Sequence, residues 1–168
     1  MIVLLMGVSG SGKTTIGKLL AESTGFGFVD GDDFHPAANV EKMRAGVALS
    51  DADREPWLAD LRAQMDRWLA GGQDVVLACS ALRRAYRQVL LGPQASVRLV
   101  YLKGSPALIA GRLATRSGHF MGADLLASQF ATLEEPEGAL VVDITPPPAE
   151  VVSVIASQLG LGGEAARL

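Results

Sequence analysis

Short apolar runs rich in Val, Ile and Leu alternate along the chain with longer amphipathic stretches. The runs are Ile2–Met6, Phe26–Asp30, Val75–Cys79, Val97–Leu102 and Leu140–Ile144. Most are continuous rather than alternating, the pattern of parallel strands covered on both faces. Between them the spacing of apolar positions predicts helices over Lys13–Ser23, Arg54–Leu69, Ala81–Leu90, Pro106–Arg116 and Ala149–Leu159. Ser105 before Pro106 reads as an N-cap followed by proline at the first helical position, and Gly71-Gly72 and Gly92-Pro93 punctuate helix ends. A β-α-β-α series of this kind predicts a doubly wound α/β sheet whose right-handed crossovers put helices on both faces.

Two stretches break the rhythm. Residues 31–53 hold a Gly-Asp-rich start, a short helix around Asn39–Arg44 and an acidic turn at Ser50–Asp53. Residues 117–135 hold Ser117–Gly122 and a short helix around Leu125–Thr132. Both leave the carboxyl edge of the sheet, where open α/β folds bind ligands.

Composition narrows the class. The 168 residues are 49% hydrophobic with no apolar run long enough to span a bilayer, and the one cysteine, Cys79, excludes an internal disulfide framework. A net charge of −3 argues against a globally basic nucleic-acid binder. The apolar start lacks a basic segment before it and runs into Gly7, so a cytoplasmic address is expected. The charge is uneven: residues 1–74 carry 7 basic and 11 acidic side chains, residues 75–123 carry 7 and none, and residues 124–168 carry 1 and 7. Solvated helix faces could produce this, but an acid-free middle segment also suits a polyanionic ligand.

Gly7-Val8-Ser9-Gly10-Ser11-Gly12-Lys13-Thr14 matches the phosphate-loop pattern G-x-x-x-x-G-K-[ST] in full. It follows a predicted strand and opens a predicted helix. Backbone amides of the loop, reaching to Thr15, and the positive helix end would cradle phosphates. Lys13 would add a point charge at the β- and γ-phosphates, and the Thr14 hydroxyl could ligate Mg²⁺. A GTPase would need an Asn-Lys-x-Asp motif, and the only asparagine, Asn39, precedes Val40. A large motor ATPase would need an apolar strand ending in Asp, but Val75–Cys79 runs into Ser80, and Leu140–Asp143 at the last strand reads as structural. Small-molecule kinases remain.

The second strand runs into Asp30-Gly31-Asp32-Asp33-Phe34-His35-Pro36. Carboxylates at i and i+2 on an extended exit point the same way, so one could hold Mg²⁺ through water and the other accept a substrate hydroxyl proton. A plain acidic turn is the alternative. Arg54, opening the following helix, suits a planar carboxylate, against an ordinary ion pair with Asp51. Trp57 and Trp68 read as core.

Taken together, several motifs resemble the gluconokinase family of the thermoresistant type. They are Gly7–Thr14, Asp30-Gly31-Asp32 with His35-Pro36, Asn39–Met43, Asp53-Arg54 with Pro56-Trp57-Leu58, and Cys79-Ser80-Ala81-Leu82 with Tyr86-Arg87. Tyr101–Gly104, Arg112-Leu113 with Arg116, His119-Phe120, and Ser128-Gln129-Phe130 with Thr132-Leu133-Glu134 continue the series in order. The resemblance implies ATP- and Mg²⁺-dependent phosphorylation of D-gluconate to 6-phospho-D-gluconate, in sugar-acid catabolism. It also implies a three-layer P-loop kinase fold with a parallel five-stranded sheet of order 2-3-1-4-5, a mobile lid, and a homodimer. A single domain over 1–168 is then expected, with 31–70 binding substrate, 117–135 in the lid and 160–168 frayed. By residue, it implies that Gly7, Ser9, Gly10, Ser11, Gly12, Lys13, Thr14 and Thr15 hold the phosphates. Asp30 would hold the metal with Thr14 and Asp32 would contact the accepting hydroxyl, though the two could exchange roles. His35, Arg54, Ser80, Arg84 and His119 would line the sugar-acid pocket, with Arg83 the rival of Arg84. Arg112 would pack on adenine and Arg116 reach the transferring phosphate. The rivals are a related kinase acting on shikimate or another polyol acid, and a nucleotide-binding regulatory module without turnover.

Overall fold

A computed structural model describes residues 1–93, 96–115 and 123–161. Five strands, β1 (Ile2–Met6), β2 (Gly27–Asp30), β3 (Val75–Ala78), β4 (Val97–Lys103) and β5 (Leu140–Asp143), form one sheet in the order β2-β3-β1-β4-β5. Every pairing is parallel, with Ile2 opposite Val75 and Val97 across the central strand. The helices are α1 (Lys13–Thr24), α2 (Ala37–Arg44), α3 (Asp51–Ala70), α4 (Arg84–Leu91), α5 (Pro106–Ala114), α6 (Ala123–Thr132) and α7 (Pro148–Leu159). Among the described residues no helix is long and apolar enough to cross a membrane.

The sheet separates two hydrophobic clusters. On one face Val3 and Leu5 of β1 join Ile16 and Leu20 of α1, Ile109 of α5, and Val151 and Ile155 of α7. On the other, Ile2, Leu4 and Met6 meet Trp57, Leu61 and Met65 of α3 and Leu90 of α4. All five residues of β1 are completely buried, which explains why the run is apolar without alternation. Each such Leu or Ile contributes about 1.5–3 kcal/mol through area removed from water. With the centre of the sheet held from both sides, the loops at its carboxyl edge have a rigid base.

Three local differences from the sequence-based elements all lie at that edge. Ser50–Asp53 is a helix start rather than a free acidic turn. Ser50 caps α3, accepting from the Asp53 amide, while the Asp53 side chain accepts from the Ser50 amide, a reciprocal capping box. The exit from β2 is not extended: Gly31–Phe34 coil into a 3₁₀ turn that Asp30 caps by accepting from the Asp32 amide. The helix expected from Ala81 begins at Arg84, because Ala81 takes the left-handed region at φ 44°. That conformation costs an L residue roughly 1–2 kcal/mol. The buried guanidinium of Arg87 holds it, donating to the carbonyls of Ala81 and Leu82 at 2.9 Å each.

The capping box carries a pH signature. Lys42 Nζ at 2.6 Å, then the Ser50 amide and hydroxyl, hold the Asp53 carboxyl down at about 2, against an ordinary 3.8. A depressed carboxyl adds stability above its unfolded-state value and loses it as pH falls towards the folded value. Asp53→Asn is therefore expected to lower the melting temperature at pH 7. The gap from the wild-type chain should close as pH falls from about 4 to about 2, the span between the two values. A gap that stays constant across this range would remove the charge from the explanation.

Candidate active site

Where β1 ends, the chain turns through Gly7–Gly12 into α1. Gly10 has φ 83°, and a Cβ there would lie 2.9–3.0 Å from the side chains of Leu113 and Ile109. At Gly7 a Cβ would lie 2.7 Å from Ser11 Oγ. The loop is thus compressed against α5 and against itself, and only glycine fits at either place. Lys13 Nζ folds back over the loop, donating to the carbonyls of Gly7 at 2.8 Å and Val8 at 3.1 Å. Ser11 turns inward: its amide donates to Val8 O at 3.1 Å, and its buried hydroxyl has no partner among the described residues. The Ser9 amide donates to Gln129 Oε1 of α6 at 2.5 Å.

Beside the loop stand the carboxylates. Thr14 Oγ1 donates to Asp30 Oδ2 at 3.1 Å, joining the first turn of α1 to the end of β2. These are hard oxygen donors of the type that suits Mg²⁺. Asp32 lies one step further out, with Oδ1 3.9 Å from His35 Nε2. Its side chain is 72% exposed and opens on the cleft. Partial desolvation beside the loop, then the charge of Asp30, raise the Asp32 carboxyl above 3.8, with His35 and Lys13 pulling the other way.

His35 is held on three sides. Its ring stacks on Trp57 at 4.2 Å and 18°, while the Trp57 indole N–H donates to Gly31 O at 2.8 Å. Asn39, only 3% exposed, donates through Nδ2 to the Asp53 carbonyl at 2.8 Å, which fixes the amide orientation. The same Nδ2 lies 3.3 Å from His35 Nδ1, which must then accept, so the ring N–H sits on Nε2 facing Asp32. Burial, reinforced by the charge of Arg54, lowers the His35 pKa from 6.5 against the opposing effect of Asp32. The ring is a neutral donor at the cleft.

Arg54 completes that side. Its guanidinium lies 5.6 Å from the Tyr86 ring centre and donates through Nη1 to the Tyr86 hydroxyl at 3.2 Å. Tyr86 in turn donates to Asp51, whose other oxygen pairs with Arg83 at 2.8 Å. Arg54 therefore makes no direct ion pair with Asp51; tyrosine stands between them, leaving the other guanidinium N–H groups without partners among the described residues. On the far side of the loop a cavity of about 240 Å³ is lined by Gly10, Thr15, Arg112, Ile144, Pro146 and Val151, among others. Arg112 Nη2 donates to Ile144 O, which lays the guanidinium along the cavity wall.

The arrangement, from base-sized cavity through phosphate loop to carboxylates and a cationic pocket, is that of a kinase with a small polar acceptor. A family model described as an AAA domain matches residues 2–136. A probable gluconokinase of Xenopus tropicalis is 45% identical over 177 residues, covering 95% of this chain and 91% of the relative. The chain belongs to the gluconokinase family. A gluconokinase of Gluconobacter oxydans is 48% identical over 134 residues, 80% of this chain and 75% of that protein. The solved structure of a gluconokinase from Sinorhizobium meliloti is 39% identical, superposes with a TM-score of 0.79 and covers 94% of each chain.

Within this gluconokinase-family chain, Lys13, Thr14, Asp30, Asp32, His35 and Arg54 converge at the carboxyl ends of β1 and β2. Ser80 follows β3 beside the loop, its carbonyl accepting from the Gly7 amide at 3.4 Å. Arg84 is exposed and fixed only through its backbone amide, which donates to Glu134, while Arg83 is engaged by Asp51. Arg116 and His119 lie outside the described residues, as do the tail past Leu161 and much of the expected lid. Four functional contributors escaped the sequence reading. Trp57 is both core and pocket wall, Asn39 sets the His35 tautomer, Tyr86 props Arg54, and Ile144 with Pro146 lines the cavity.

Proposed function

We propose that this chain transfers the γ-phosphoryl group of ATP to the 6-hydroxyl of D-gluconate, giving 6-phospho-D-gluconate. The observation that carries the reading is the placement of Asp32: Thr14, Asp30 and Lys13 lie on its phosphate side, and neutral His35 and Arg54 on its other side. The adenine fits the cavity between Arg112 and the Ile144–Pro146 segment, so that the triphosphate runs over Gly10–Thr15 towards Lys13. Asp32 accepts the proton of the attacking hydroxyl, His35 Nε2–H donates to a neighbouring hydroxyl, and Arg54 takes the carboxylate at the far end of the sugar acid. Thr14 and, through water, Asp30 would hold Mg²⁺, which when bound neutralises charge on the β- and γ-phosphates. The protein's part is positioning and charge stabilisation, because phosphoryl transfer asks little covalent chemistry of it.

A coupled ADP-release assay over D-gluconate, other sugar acids, shikimate and nucleoside monophosphates tests this. Turnover is expected with gluconate at a kcat/KM well above every other acceptor. Preference for shikimate, or tight ATP binding without turnover on any acceptor, would overturn it in favour of a related kinase or a regulatory module respectively.

The Arg54 assignment has its own test. Lysine cannot make two parallel hydrogen bonds to a carboxylate, nor reach it while resting on Tyr86. Losing one charged hydrogen bond corresponds to roughly 10–100-fold. Arg54→Lys should therefore raise KM for gluconate by about that factor while leaving KM for ATP within roughly threefold. Equal rises in both would place Arg54 elsewhere.

A further inference from the structure

Gln129 lies near the C-terminal end of α6, 120 residues from the phosphate loop, yet its Oε1 accepts the Ser9 amide at 2.5 Å. A backbone N–H can only donate, so the oxygen of the side-chain amide must face the loop. The Nε2 end then presents two N–H donors beside the loop, and they have no partner among the described residues. The position is not accidental fraying. Leu126 is buried and Phe130 packs on the cluster that holds β1, the Glu134 amide donates to Leu82 O at 2.9 Å, and Glu135 pairs with Lys103 at 2.7 Å. From 126 to 135 the chain is fastened to the carboxyl edge of the sheet, with Gln129 aimed at the loop. Ser9 follows Gly7 and Val8, whose carbonyls hold Lys13 Nζ. This is the end of the loop where the lysine serves the β- and γ-phosphates.

We infer that Gln129 is a further catalytic residue: Oε1 clamps the Ser9 amide while Nε2 donates to an oxygen of the γ-phosphoryl group. The inference rests on the ATP-dependent transfer reading above. Within it, Gln129 supplies neutral, preorganised donors where charge shifts during transfer, complementing the ammonium of Lys13.

Three substitutions separate this from a purely structural contact. Gln129→Glu keeps the acceptor for Ser9 and loses the donors, Gln129→Lys keeps donors and loses the acceptor, and Gln129→Ala loses both. Affinities for ATP and ADP by calorimetry, and kcat with gluconate, are the readouts. ATP affinity and kcat should fall in the order wild type, Lys, Ala, with Glu at or below Ala, and with ADP affinity unchanged within about twofold. The fall in kcat for Ala should be about 10–100-fold, the scale of a lost hydrogen bond to a charged group. Glu matching wild type, equal losses for ATP and ADP, or Lys no better than Ala would each overturn the inference. Should the Glu variant not fold, the Lys–Ala comparison decides alone. If wild type fails to phosphorylate gluconate, the acceptor reading falls, while the ATP-over-ADP comparison still judges Gln129.

Discussion

Lys13→Ala is expected to reduce kcat by about 10³-fold or more while the chain remains folded, because a cation at transferring phosphates acts on charge that develops in the transition state. The ammonium is already drawn onto the phosphate loop by the carbonyls of Gly7 and Val8, so it is positioned before nucleotide arrives. No other described side chain is placed to replace it: Arg112 is committed to the Ile144 carbonyl on the base side, and Arg54 to Tyr86 on the acceptor side. Stability should not follow activity. Lys13 is the first residue of α1, where a positive charge opposes the helix dipole, and alanine is the best helix former. Of the two residues whose carbonyls it holds, Val8 packs in the core through its own side chain, which the substitution leaves in place. The check is kcat from the coupled assay beside a thermal melt. A rate within tenfold of wild type would remove Lys13 from the phosphate site, and a collapsed melt would make its role structural.

The legible and illegible parts of this molecule divide by range. Strands and helices announce themselves through local periodicity, so a doubly wound sheet and the phosphate loop could be read from residue spacing, while the strand order came with the family resemblance. Contacts that finish the site join distant positions. Arg54 meets Tyr86 across 32 residues and Ser9 meets Gln129 across 120, and no local spacing encodes either. Trp57 illustrates a different limit. Its helical position correctly marks it as core, but one face of the same indole stacks on His35, and a large aromatic can serve core and cleft together. At Asp30–Asp32 the residue types were informative and the backbone was not, since an Asp side chain can cap its own turn and coil an exit that spacing alone leaves extended.

Charge patterning was informative only in part. Residues 75–123 carry 7 basic and no acidic side chains, which suggested a surface for a polyanion. Three of these cations serve the fold instead: Arg83 pairs with Asp51, Arg87 clamps the Ala81–Leu82 turn, and Lys103 pairs with Glu135. Asp51 and Glu135, the acidic partners of Arg83 and Lys103, come from the flanking segments, so part of the asymmetry along the chain cancels in space. Arg112 is the one described member that lines the cavity, and Arg84 stays exposed. A run of like charge is thus as consistent with strand-to-helix pairing across a sheet edge as with ligand binding. The acidic cluster at Asp30–Asp32 differs, because partial desolvation and then the charge of Asp30 raise the Asp32 carboxyl.

The raised carboxyl gives the second large effect. Asp32→Asn should lower kcat by about 10²-fold or more, the contribution of a positioned general base. It should also abolish the acid limb of the wild-type pH–rate profile. The limb arises because the surrounding protein and Asp30 raise the Asp32 carboxyl above 3.8, so activity is present above the raised value and lost as pH falls through it. The sign for stability is opposite to that at Asp53. A carboxyl raised on folding favours the folded state while protonated, and that advantage disappears as pH climbs through the raised value. At neutral pH the ionised Asp32 therefore opposes folding, and without nucleotide the Asn variant should melt at or above the wild-type temperature. Loss of rate with no loss of stability is the mark of a group held against its own preference for chemistry. If Asp32→Asn instead melts lower, or keeps the acid limb, Asp32 is part of the scaffold and the accepting carboxylate must be sought at Asp30.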